Sequence, residues 1–477
     1  MIFTSYTYLL FLSAAFLLHW SLPKPLRNPL LIVLSYAFYC SWKWQFGFLL
    51  LAVSIFTWSF GALLARRGGS RGLLALGITV ELLPLVYYKY AGFLATNATA
   101  LVSVFGSRWR AQVPDVVLPL GISFFTFQGI AYLVDIANGV APIRRGDHFL
   151  LYKAFWPQLI AGPIIRPHEI REQIAADRQI EYPDISEGAK RILNGFFKKA
   201  VLADTLAPYV DGVFQTTARP AALDCAVGTL AFAMQIYFDF GGYSDIAIGS
   251  ARLLGFRFPE NFDYPYAASS PQEFWNRWHM TLTRWIRDYV FTPLAFASRR
   301  KPKLALVWLV LAMALCGLWH GGRWTFVLWG IWHGGLLLAT QTVLRKLWPR
   351  FDEAKSPSGP VVRLLAWATT MLAVCAGWVF FRAQTVRQAG AMFRAMLTMR
   401  GGLRPAVMRE NGVLVVASFC AGLLLFQVLR PRLQRVAERI AGYASGYRMM
   451  KAVFYAGLIL SIVVFERDVQ AFVYFQF

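Results

Sequence analysis

The stretch from Leu304 to Gly335, LALVWLVLAMALCGLWHGGRWTFVLWGIWHGG, decides what kind of fold this chain can adopt. Two apolar runs meet there at a Gly-Gly pair, and WHGG occurs twice, with His320 in the first copy and His333 in the second. An apolar helix needs about 20 residues to cross a bilayer, and a spanning segment must satisfy its own backbone hydrogen bonds. We therefore interpret both runs as membrane helices.

Apolar runs of this kind recur along the whole chain, which is 57% hydrophobic and 15% charged. The other runs are Tyr6–Trp20, Asn28–Cys40, Phe46–Ala65, Leu73–Tyr87, Ala226–Phe238, Val361–Phe381, Val413–Leu429 and Ala452–Phe465. They are continuously apolar rather than alternating, which argues against a membrane β-barrel. The sequence predicts an all-α polytopic membrane protein with roughly nine to twelve membrane helices, besides short re-entrant or interfacial ones.

No Ser/Gly linker or low-complexity tract divides the chain, so we expect a single membrane-embedded domain over residues 1–477. Between Leu118 and Arg300 the apolar runs are interrupted by Gly, Pro, Asn and acidic residues. Broken segments at membrane depth need protein or a water-filled cavity around them. Asp135, Asp239 and Asp245 lie in or beside these segments, and ionisable groups there are candidates for function. We therefore predict a catalytic core at about residues 118–345.

The formal net charge of +23 comes from basic residues that cluster in short loops between the apolar runs. These residues are Lys24 and Arg27; Arg66, Arg67 and Arg71; Arg108 and Arg110; Arg299, Arg300, Lys301 and Lys303; and Arg345, Lys346 and Arg350. This distribution is typical of the positive-inside rule and argues against nucleic-acid binding. It predicts an amino terminus outside the cell and places the loops 22–29, 66–71 and 106–113 in the cytoplasm.

Several common kinds of site lack their sequence patterns. There is no HExxH, GxSxG, P-loop or GxGxxG pattern, and no carboxylate occurs between Asp288 and Asp352. The five cysteines are scattered without a CxxC pair and are interpreted as buried small residues. We expect no metal site and no bound cofactor. Met1–Trp20 lacks a basic n-region and a small-residue cleavage site, which favours a retained first helix over a signal peptide.

The segment 270–294, SPQEFWNRWHMTLTRWIRDYVFTPL, has the pattern of an amphipathic helix that starts at Ser270-Pro271. At 100° per residue, one arc is apolar and another is polar. The apolar arc contains Trp275, Trp278, Leu282, Trp285 and Tyr289, and the polar face contains Asn276, His279, Thr283 and Arg287. A helix lying at the membrane surface is the alternative interpretation, and such a helix could still present Asn276 and His279 to a buried cavity.

The two WHGG histidines differ in their setting. His320 ends a run that begins after the basic 299–303 loop, which places it roughly 24 Å along a helix from that loop. Gly321, Gly322 and Arg323 follow it directly. His333 lies inside the next helix, on a different face. The alternative for each is a neutral ring bonded to a helix carbonyl, and this alternative is stronger for His333.

Together these strings resemble the membrane-bound O-acyltransferase family, and within it the bacterial alginate O-acetyltransferase branch. The resemblance covers nearly the whole chain and rests on six strings. They are PLGISFFTFQGIAYLVD, FWPQLIAGPIIRP, YFDFGGYSDIAIGSARLLGFRFPENFDYPY, EFWNRWHMTLTRWIRDYVFTPL, LWHGGRWTFVLWGIWHG and the terminal FVYFQF. By motif match, the family's principal histidine is His320 and its second histidine is His279, whereas His333 is expected to be structural or secondary.

The resemblance implies a helical bundle around a central tunnel in the bacterial inner membrane. It implies transfer of a small acyl group, most simply acetyl, from a cytoplasmic thioester such as acetyl-CoA. In this branch the group passes to a separate periplasmic acyltransferase that modifies an exopolysaccharide or another envelope glycan, so polysaccharide assembly proteins are further expected partners.

On this basis we expect His320 to act as general base or to take the acyl group itself, while His279 orients or polarises the donor. Asn276 is expected to bond the developing oxyanion, and Arg287 to contact substrate. Trp275, Trp278, Trp319 and Phe274 are expected to line the tunnel and exclude water. The alternative function is a transporter or flippase that moves its substrate without acyl chemistry, since buried Asp residues and broken helices fit that class too.

Overall fold

The computed structural model describes residues 3–106, 108–160, 162–215, 221–344, 359–400, 412, 414–422 and 444–465, with isolated residues between 425 and 436. The described residues form helices, turns and loops and contain no β-strand. The basic residues Arg345, Lys346 and Arg350, part of the predicted run Val413–Leu429, and the terminal FVYFQF motif lie outside them.

The amino-terminal part of the chain consists of long apolar helices. These are α1 (Tyr6–Ser21), α2 (Lys24–Cys40), α3 (Gln45–Arg66) and α4 (Arg71–Leu85), which continues through a π-helical turn (Val86–Tyr90) into α5 (Ala91–Val104). Shorter helices then alternate with longer ones. They are α6 (Ile122–Ala137), α7 (Gly146–Ala154), α8 (Trp156–Leu159), α9 (Pro167–Ala175), α10 (Tyr182–Phe196) with a π-helical extension (Phe197–Ala203), α11 (Asp204–Phe214) and α12 (Ala222–Leu253).

The carboxyl-terminal half begins with short helices and then returns to long ones. They are a 3₁₀ turn (Pro265–Ala267), α13 (Pro271–Arg277), α14 (Met280–Ile286) with a π-helical extension (Arg287–Phe291), α15 (Thr292–Ala297), α16 (Pro302–His320), α17 (Trp324–Ala339) with a π-helical extension (Thr340–Leu344), α18 (Pro360–Arg382), α19 (Val386–Leu397) and α20 (Ala444–Phe465).

Five helices among the described residues are long and apolar enough to cross a membrane. They are Gln45–Arg66, Arg71–Val104, Ala222–Leu253, Lys303–His320 and Pro360–Arg382. Tyr6–Ser21, Ile122–Ala137 and Met449–Phe465 are shorter apolar helices. The predicted all-α, multi-pass membrane fold is confirmed, whereas the number of nine to twelve membrane helices stays a prediction.

Two contacts assemble one face of the bundle. The indole nitrogen of Trp20 donates to the carbonyl of Leu253 at the end of α12, at 2.9 Å. Gly69 packs so closely on the end of α6 that an added Cβ would lie 2.6 Å from the Ala137 carbonyl oxygen. Between residues 22–29 and 66–71 the chain runs out along α2 and back along α3, so both segments lie at one face, together with the carboxyl ends of α6 and α12. We call this the basic face, and the positive-inside pattern predicts that it is cytoplasmic.

The orientation predicted for the 106–113 loop is wrong. Arg71–Val104 is one helix of 34 residues, which makes it about 51 Å long at 1.5 Å per residue. Residues 106–113 follow the end opposite to the 66–71 loop, so the two loops do not share a face. The predicted run Leu73–Tyr87 stops two residues before Lys89, but the helix continues past it through a π-helical turn that contains Lys89.

The central segment around Gly241-Gly242 is also more regular than predicted, because α12 runs unbroken for 32 residues. Its glycines serve helix packing. A Cβ on Gly242 would lie 2.7 Å from the Gly195 carbonyl of α10, and one on Gly249 would lie 2.7 Å from the Gly188 carbonyl. Gly242 and Gly249 are seven residues apart on α12, as are Gly188 and Gly195 on α10, and the two helices run antiparallel. Small residues at such positions let membrane helices approach closely.

Asp239 and Asp245 of α12 are paired with cations from the π-helical extension of α10. Lys199 lies 2.8 Å from Asp239 and 2.6 Å from Asp204, and all three are buried. Lys198 lies 2.6 Å from Asp245. Such pairing is what allows carboxylates to remain at membrane depth. These aspartates therefore have a structural explanation.

The prediction of one amphipathic helix over 270–294 is wrong. The helix starts as predicted, with Ser270 accepting from the Glu273 backbone nitrogen at 3.1 Å and Glu273 pairing with Arg277 at 2.8 Å. It then ends, because Trp278 is extended and His279 has a left-handed backbone with φ 39°. The predicted arcs on either side of this break therefore do not form continuous faces.

Helices α16 and α17 form a tight antiparallel hairpin joined by residues 321–323. A Cβ on Gly317 would lie 2.1 Å from the Phe326 carbonyl oxygen, and one on Gly330 would lie 2.1 Å from that of Met313. The backbones thus touch where glycine leaves room for them. The hairpin holds the end of α16 against the first two turns of α17.

The α10–α12 contact can be tested with neighbouring glycines of one helix. We expect Gly242→Val to lower the free energy of unfolding by about 1–3 kcal/mol or more, because its side chain must displace backbone of α10. Gly241→Val is the matched control, since the nearest atom to its Cβ is Tyr237 Cε2 at 4.0 Å. Thermal unfolding in detergent measures both variants, and equal midpoints would contradict the proposed close contact.

Candidate active site

His320 is the last residue of α16 and is buried, with 4% of its surface exposed. Three aromatic rings surround its imidazole: Trp319 at 4.8 Å, Trp329 at 5.2 Å and Phe381 at 5.1 Å between ring centroids. The three contacts are all edge-to-face. The ring therefore sits in a largely apolar setting, where interactions with developing charge are stronger than in water.

The depth of His320 follows from helix length. From Pro302 to His320 the helix advances 18 residues, or about 27 Å. Lys89 gives an independent measure, since it lies 18 residues after Arg71 at the basic face and its Nζ donates to the Trp319 carbonyl at 2.6 Å. His320 thus lies deep in the bundle, far from the basic face.

His279 is fully buried at the amino-terminal cap of α14. Its Nδ1–H donates to Oδ1 of Asn261 at 2.9 Å, and its ring packs edge-on against Phe240 at 4.7 Å. Its Nε2 is buried and has no hydrogen-bond partner among the described residues. One ring nitrogen is therefore anchored, while the other remains available for a ligand.

Trp319 brings the two candidate histidines together. Its indole lies 6.0 Å from His279 and 4.8 Å from His320. The indole also stacks on Phe127 at 5.4 Å, and Phe127 stacks on Trp285 at 3.7 Å. The sequence-based choice of His320, His279 and Trp319 therefore corresponds to one buried cluster.

His333 lies in the middle of α17 and is enclosed by packing. Its Nδ1 accepts from the indole nitrogen of Trp275 at 3.3 Å, and its ring lies 5.0 Å from Trp329 and 6.0 Å from Phe274. A Cβ on Gly377 would lie 2.6 Å from its Nε2. These contacts support the interpretation of His333 as a packing residue, with an indole as its partner instead of the expected helix carbonyl.

The other predicted site residues divide into two groups. Phe274, Trp275 and Trp278 are buried in the same aromatic core, with Trp278 stacked on Phe274 at 5.7 Å. Asn276 and Arg287 are exposed. Because the helix breaks at Trp278 and His279, Asn276 and His279 do not lie on one helical face. The structure therefore places three predicted wall residues in the core and does not bring Asn276 or Arg287 into the histidine cluster.

Arg287 belongs instead to an ionic cluster next to the π-helical extension of α14. It donates to Asp288 at 2.6 Å, and Arg166 pairs with Asp288 at 2.8 Å. Partial burial by itself would raise the pKa of Asp288, but the hydrogen bonds from Arg287 and Arg166 lower it below its usual range. Tyr289 connects this cluster to Asp135 at the basic-face end of α6, at 2.9 Å.

Sequence reasoning missed Lys89, which supports the His320 turn. Its Nζ donates to the Trp319 carbonyl and, at 3.1 Å, to Ser123, while the Tyr90 hydroxyl donates to the Leu318 carbonyl at 2.9 Å. The last carbonyls of a helix lack partners within it and attract cations. Lys89 is the one cation in the stretch from Leu73 to Val104, and an intramembrane cation was the available signal.

Sequence reasoning also missed Asn261 and its neighbours. Oδ1 of Asn261 accepts from the Thr281 hydroxyl at 2.9 Å as well as from His279, and its Nδ2 donates to Ser244 at 3.1 Å. Thr281 in turn accepts from the Ile164 backbone nitrogen at 3.1 Å. The only available signal was an Asn between proline-rich strings, which does not indicate a histidine partner.

The fold and the site together define a polytopic membrane protein with a buried two-histidine centre. In an apolar setting, imidazole can take and return a proton, accept an acyl group or orient a substrate by a hydrogen bond. The described residues contain no group of three or more His, Cys, Asp or Glu side chains that could hold a metal ion.

Comparison with known proteins agrees with this class. Residues 148–378 match the membrane-bound O-acyltransferase (MBOAT) family. A probable alginate O-acetylase of Azotobacter vinelandii is 38% identical over 404 residues, which cover 83% of this chain and 78% of that protein. A peptidoglycan O-acetyltransferase of Helicobacter pylori is 32% identical over 82% of this chain and 78% of its own length. A teichoic acid D-alanyltransferase of Bacillus subtilis is 28% identical over 55% of this chain and 68% of its own length.

The chain therefore belongs to the membrane-bound O-acyltransferase family, in the branch of the alginate O-acetylases, and it is an O-acyltransferase. The family match spans α13, α14, α16 and α17, the helices that carry or flank His279 and His320.

The turn after His320 can be tested by comparing the two WHGG copies. A Cβ on Gly321 would lie 2.5 Å from the ring of Phe326, which itself lies 6.5 Å from His320. We expect Gly321→Ala to displace that ring and to lower both acyl transfer and the midpoint of thermal unfolding. Gly335→Ala is the control, because no atom lies within 4 Å of its Cβ. Equal effects of the two substitutions would contradict the assigned packing.

Proposed function

We propose that this protein takes a small acyl group, acetyl in the first instance, from a cytoplasmic thioester such as acetyl-CoA. The group is then transferred across the bacterial inner membrane for O-acetylation of an exopolysaccharide or another envelope glycan. The names of the similar proteins support this class of acceptor, since they specify alginate, peptidoglycan and teichoic acid. The observation that carries the proposal is the pair of buried histidines around Trp319, deep in a membrane bundle.

In the proposed reaction, His320 is the catalytic residue. As general base it takes the proton of the acceptor hydroxyl, the hydroxyl oxygen attacks the thioester carbonyl, and the departing thiolate receives the proton. As acyl acceptor its ring nitrogen attacks the carbonyl, the thiol leaves, and the acyl group then passes from nitrogen to the acceptor oxygen. Both routes balance, and both need the ring to be neutral before attack.

The surrounding residues have supporting roles in this proposal. Trp275, Trp278, Trp319 and Phe274 exclude water from the reactive thioester, which limits its hydrolysis. His279 orients the substrate. Asn276 and Arg287 remain candidates for substrate contact on the exposed side of the α13–α14 segment. The central tunnel is part of the same proposal, since both histidine rings are buried.

The proposed partners follow from the position of the site. An acceptor on the far side of the membrane needs a protein to carry the group onward, and a separate periplasmic acyltransferase fits this requirement. Polysaccharide assembly proteins would supply the glycan. The basic loops at the basic face would attract the phosphate groups of a CoA-type donor.

The role of His320 is tested by a matched pair of substitutions. We expect His320→Ala to lower glycan O-acetylation by at least about 100-fold at equal membrane level, because general acid–base catalysis contributes 10²- to 10⁴-fold. His333→Ala should retain most of the acetylation per folded molecule and mainly lower thermal stability, since His333 only packs. Unchanged acetylation in cells that carry His320→Ala would contradict the proposal.

The donor is tested with purified protein in liposomes and acetyl-CoA labelled in the acetyl group. We expect loss of the thioester and transfer of label to an added hydroxyl acceptor or to the protein. Movement of intact acetyl-CoA into the liposomes without cleavage would favour the transporter alternative. Protein with His320→Ala serves as the control for uncatalysed hydrolysis.

A further inference from the structure

The backbone of His279 is held in an uncommon conformation from two sides. A left-handed φ of 39° is unfavourable for a residue with a side chain, and it persists where the surroundings over-determine it. The Asn261 backbone carbonyl accepts from the Met280 nitrogen at 2.9 Å, directly after His279. The Asn261 side chain accepts from His279 Nδ1 at the same distance. One residue thus fixes both the backbone turn and the ring.

In the structure the amide oxygen of Asn261 faces the His279 ring. Thr281 Oγ accepts from the Ile164 nitrogen, so its own hydrogen is available for Asn261 Oδ1. The amide nitrogen of Asn261 faces Ser244 on α12. Oδ1 therefore receives two hydrogen bonds, and His279 carries its hydrogen on Nδ1. Asn261 itself is fully buried, so water does not compete for these bonds.

We infer that Asn261 is a positioning residue that holds His279 as the tautomer with a bare Nε2. This inference rests on the proposed function and deepens it. A bare Nε2 accepts a hydrogen bond, so His279 orients an N–H or O–H group of the thioester arm or of the acceptor. It does not polarise the thioester carbonyl, since that task needs a donor. The second histidine thereby recognises a donor group on the substrate and leaves the chemistry to His320.

Three substitutions separate this role from simple packing. Asn261→Leu keeps the size of the side chain and removes the acceptor. Asn261→Asp keeps the acceptor and adds a negative charge that favours the protonated ring. Ser244→Ala is the matched control, because it removes one contact of Asn261 and leaves the bond to His279 in place. Each is purified and assayed for transfer of labelled acetyl from acetyl-CoA to a hydroxyl acceptor between about pH 5 and pH 9, with thermal unfolding as the measure of folding.

We expect Asn261→Leu to lower kcat/KM by about fivefold or more, the factor that one average hydrogen bond represents. Asn261→Asp should be active at high pH, with the acid limb of its pH profile moved to higher pH, because a protonated Nε2 no longer accepts. Ser244→Ala should keep the acid limb where it is in the unmodified protein. If Asn261→Asp is active where Asn261→Leu is not, and its acid limb is shifted, the result is one that packing alone does not produce.

An Asn261→Asp profile with an unmoved acid limb would overturn the inference, and so would full activity of Asn261→Leu. If Asn261→Leu does not fold, the Asp profile still decides. Absence of transfer by the unmodified protein overturns the proposed function, and the inference with it. If the unmodified protein transfers acetyl normally and the acid limb of Asn261→Asp does not move, only the inference is overturned and the proposed function stands.

Discussion

The contact between α16 and α17 is the constraint on which the centre of the molecule depends. Lipid tails are as apolar as leucine, so membrane helices gain little from hydrophobic burial against each other and associate through close packing. Gly317 and Gly330 let the two backbones touch, which leaves room for only residues 321–323 between the helices. His320 is consequently held at the turn against Trp329, and the Trp319 indole faces His279.

Several ionisable groups inside the bundle are paired with an opposite charge. Lys153 and Glu81 are fully buried and lie 3.6 Å apart, and Lys199 is paired with two aspartates. Each of these groups has an opposite charge as partner, which explains how it is kept at membrane depth. Nε2 of His279 differs, because it is buried without a partner among the described residues. Nε2 of His333 is unpartnered among those residues as well, so the His279 ring is distinguished by its contact with Trp319, beside His320.

Sequence patterns predicted the helical membrane fold and the end of α16 at His320, because apolar length and glycine positions are local properties. The packing role of His333 stays a prediction. Sequence patterns failed where the outcome depended on contacts distant in sequence. The break at His279 is stabilised by Asn261, 18 residues earlier, and periodicity continues through such a break without a signal. The role of Lys89 was likewise missed, since its partner carbonyl at Trp319 lies 230 residues away.

Helix α16 starts beside the basic face and ends at the ring of His320. Its length therefore sets the distance that a group supplied from that face must cover. A reactive carbon that arrives from there has to be carried about 27 Å inward. For the proposed CoA-type donor, whose charged head would stay at the basic face, this distance calls for a slender, flexible arm of about that length. Under the proposed function, the reach of the donor arm is therefore the first property on which transfer to this site depends.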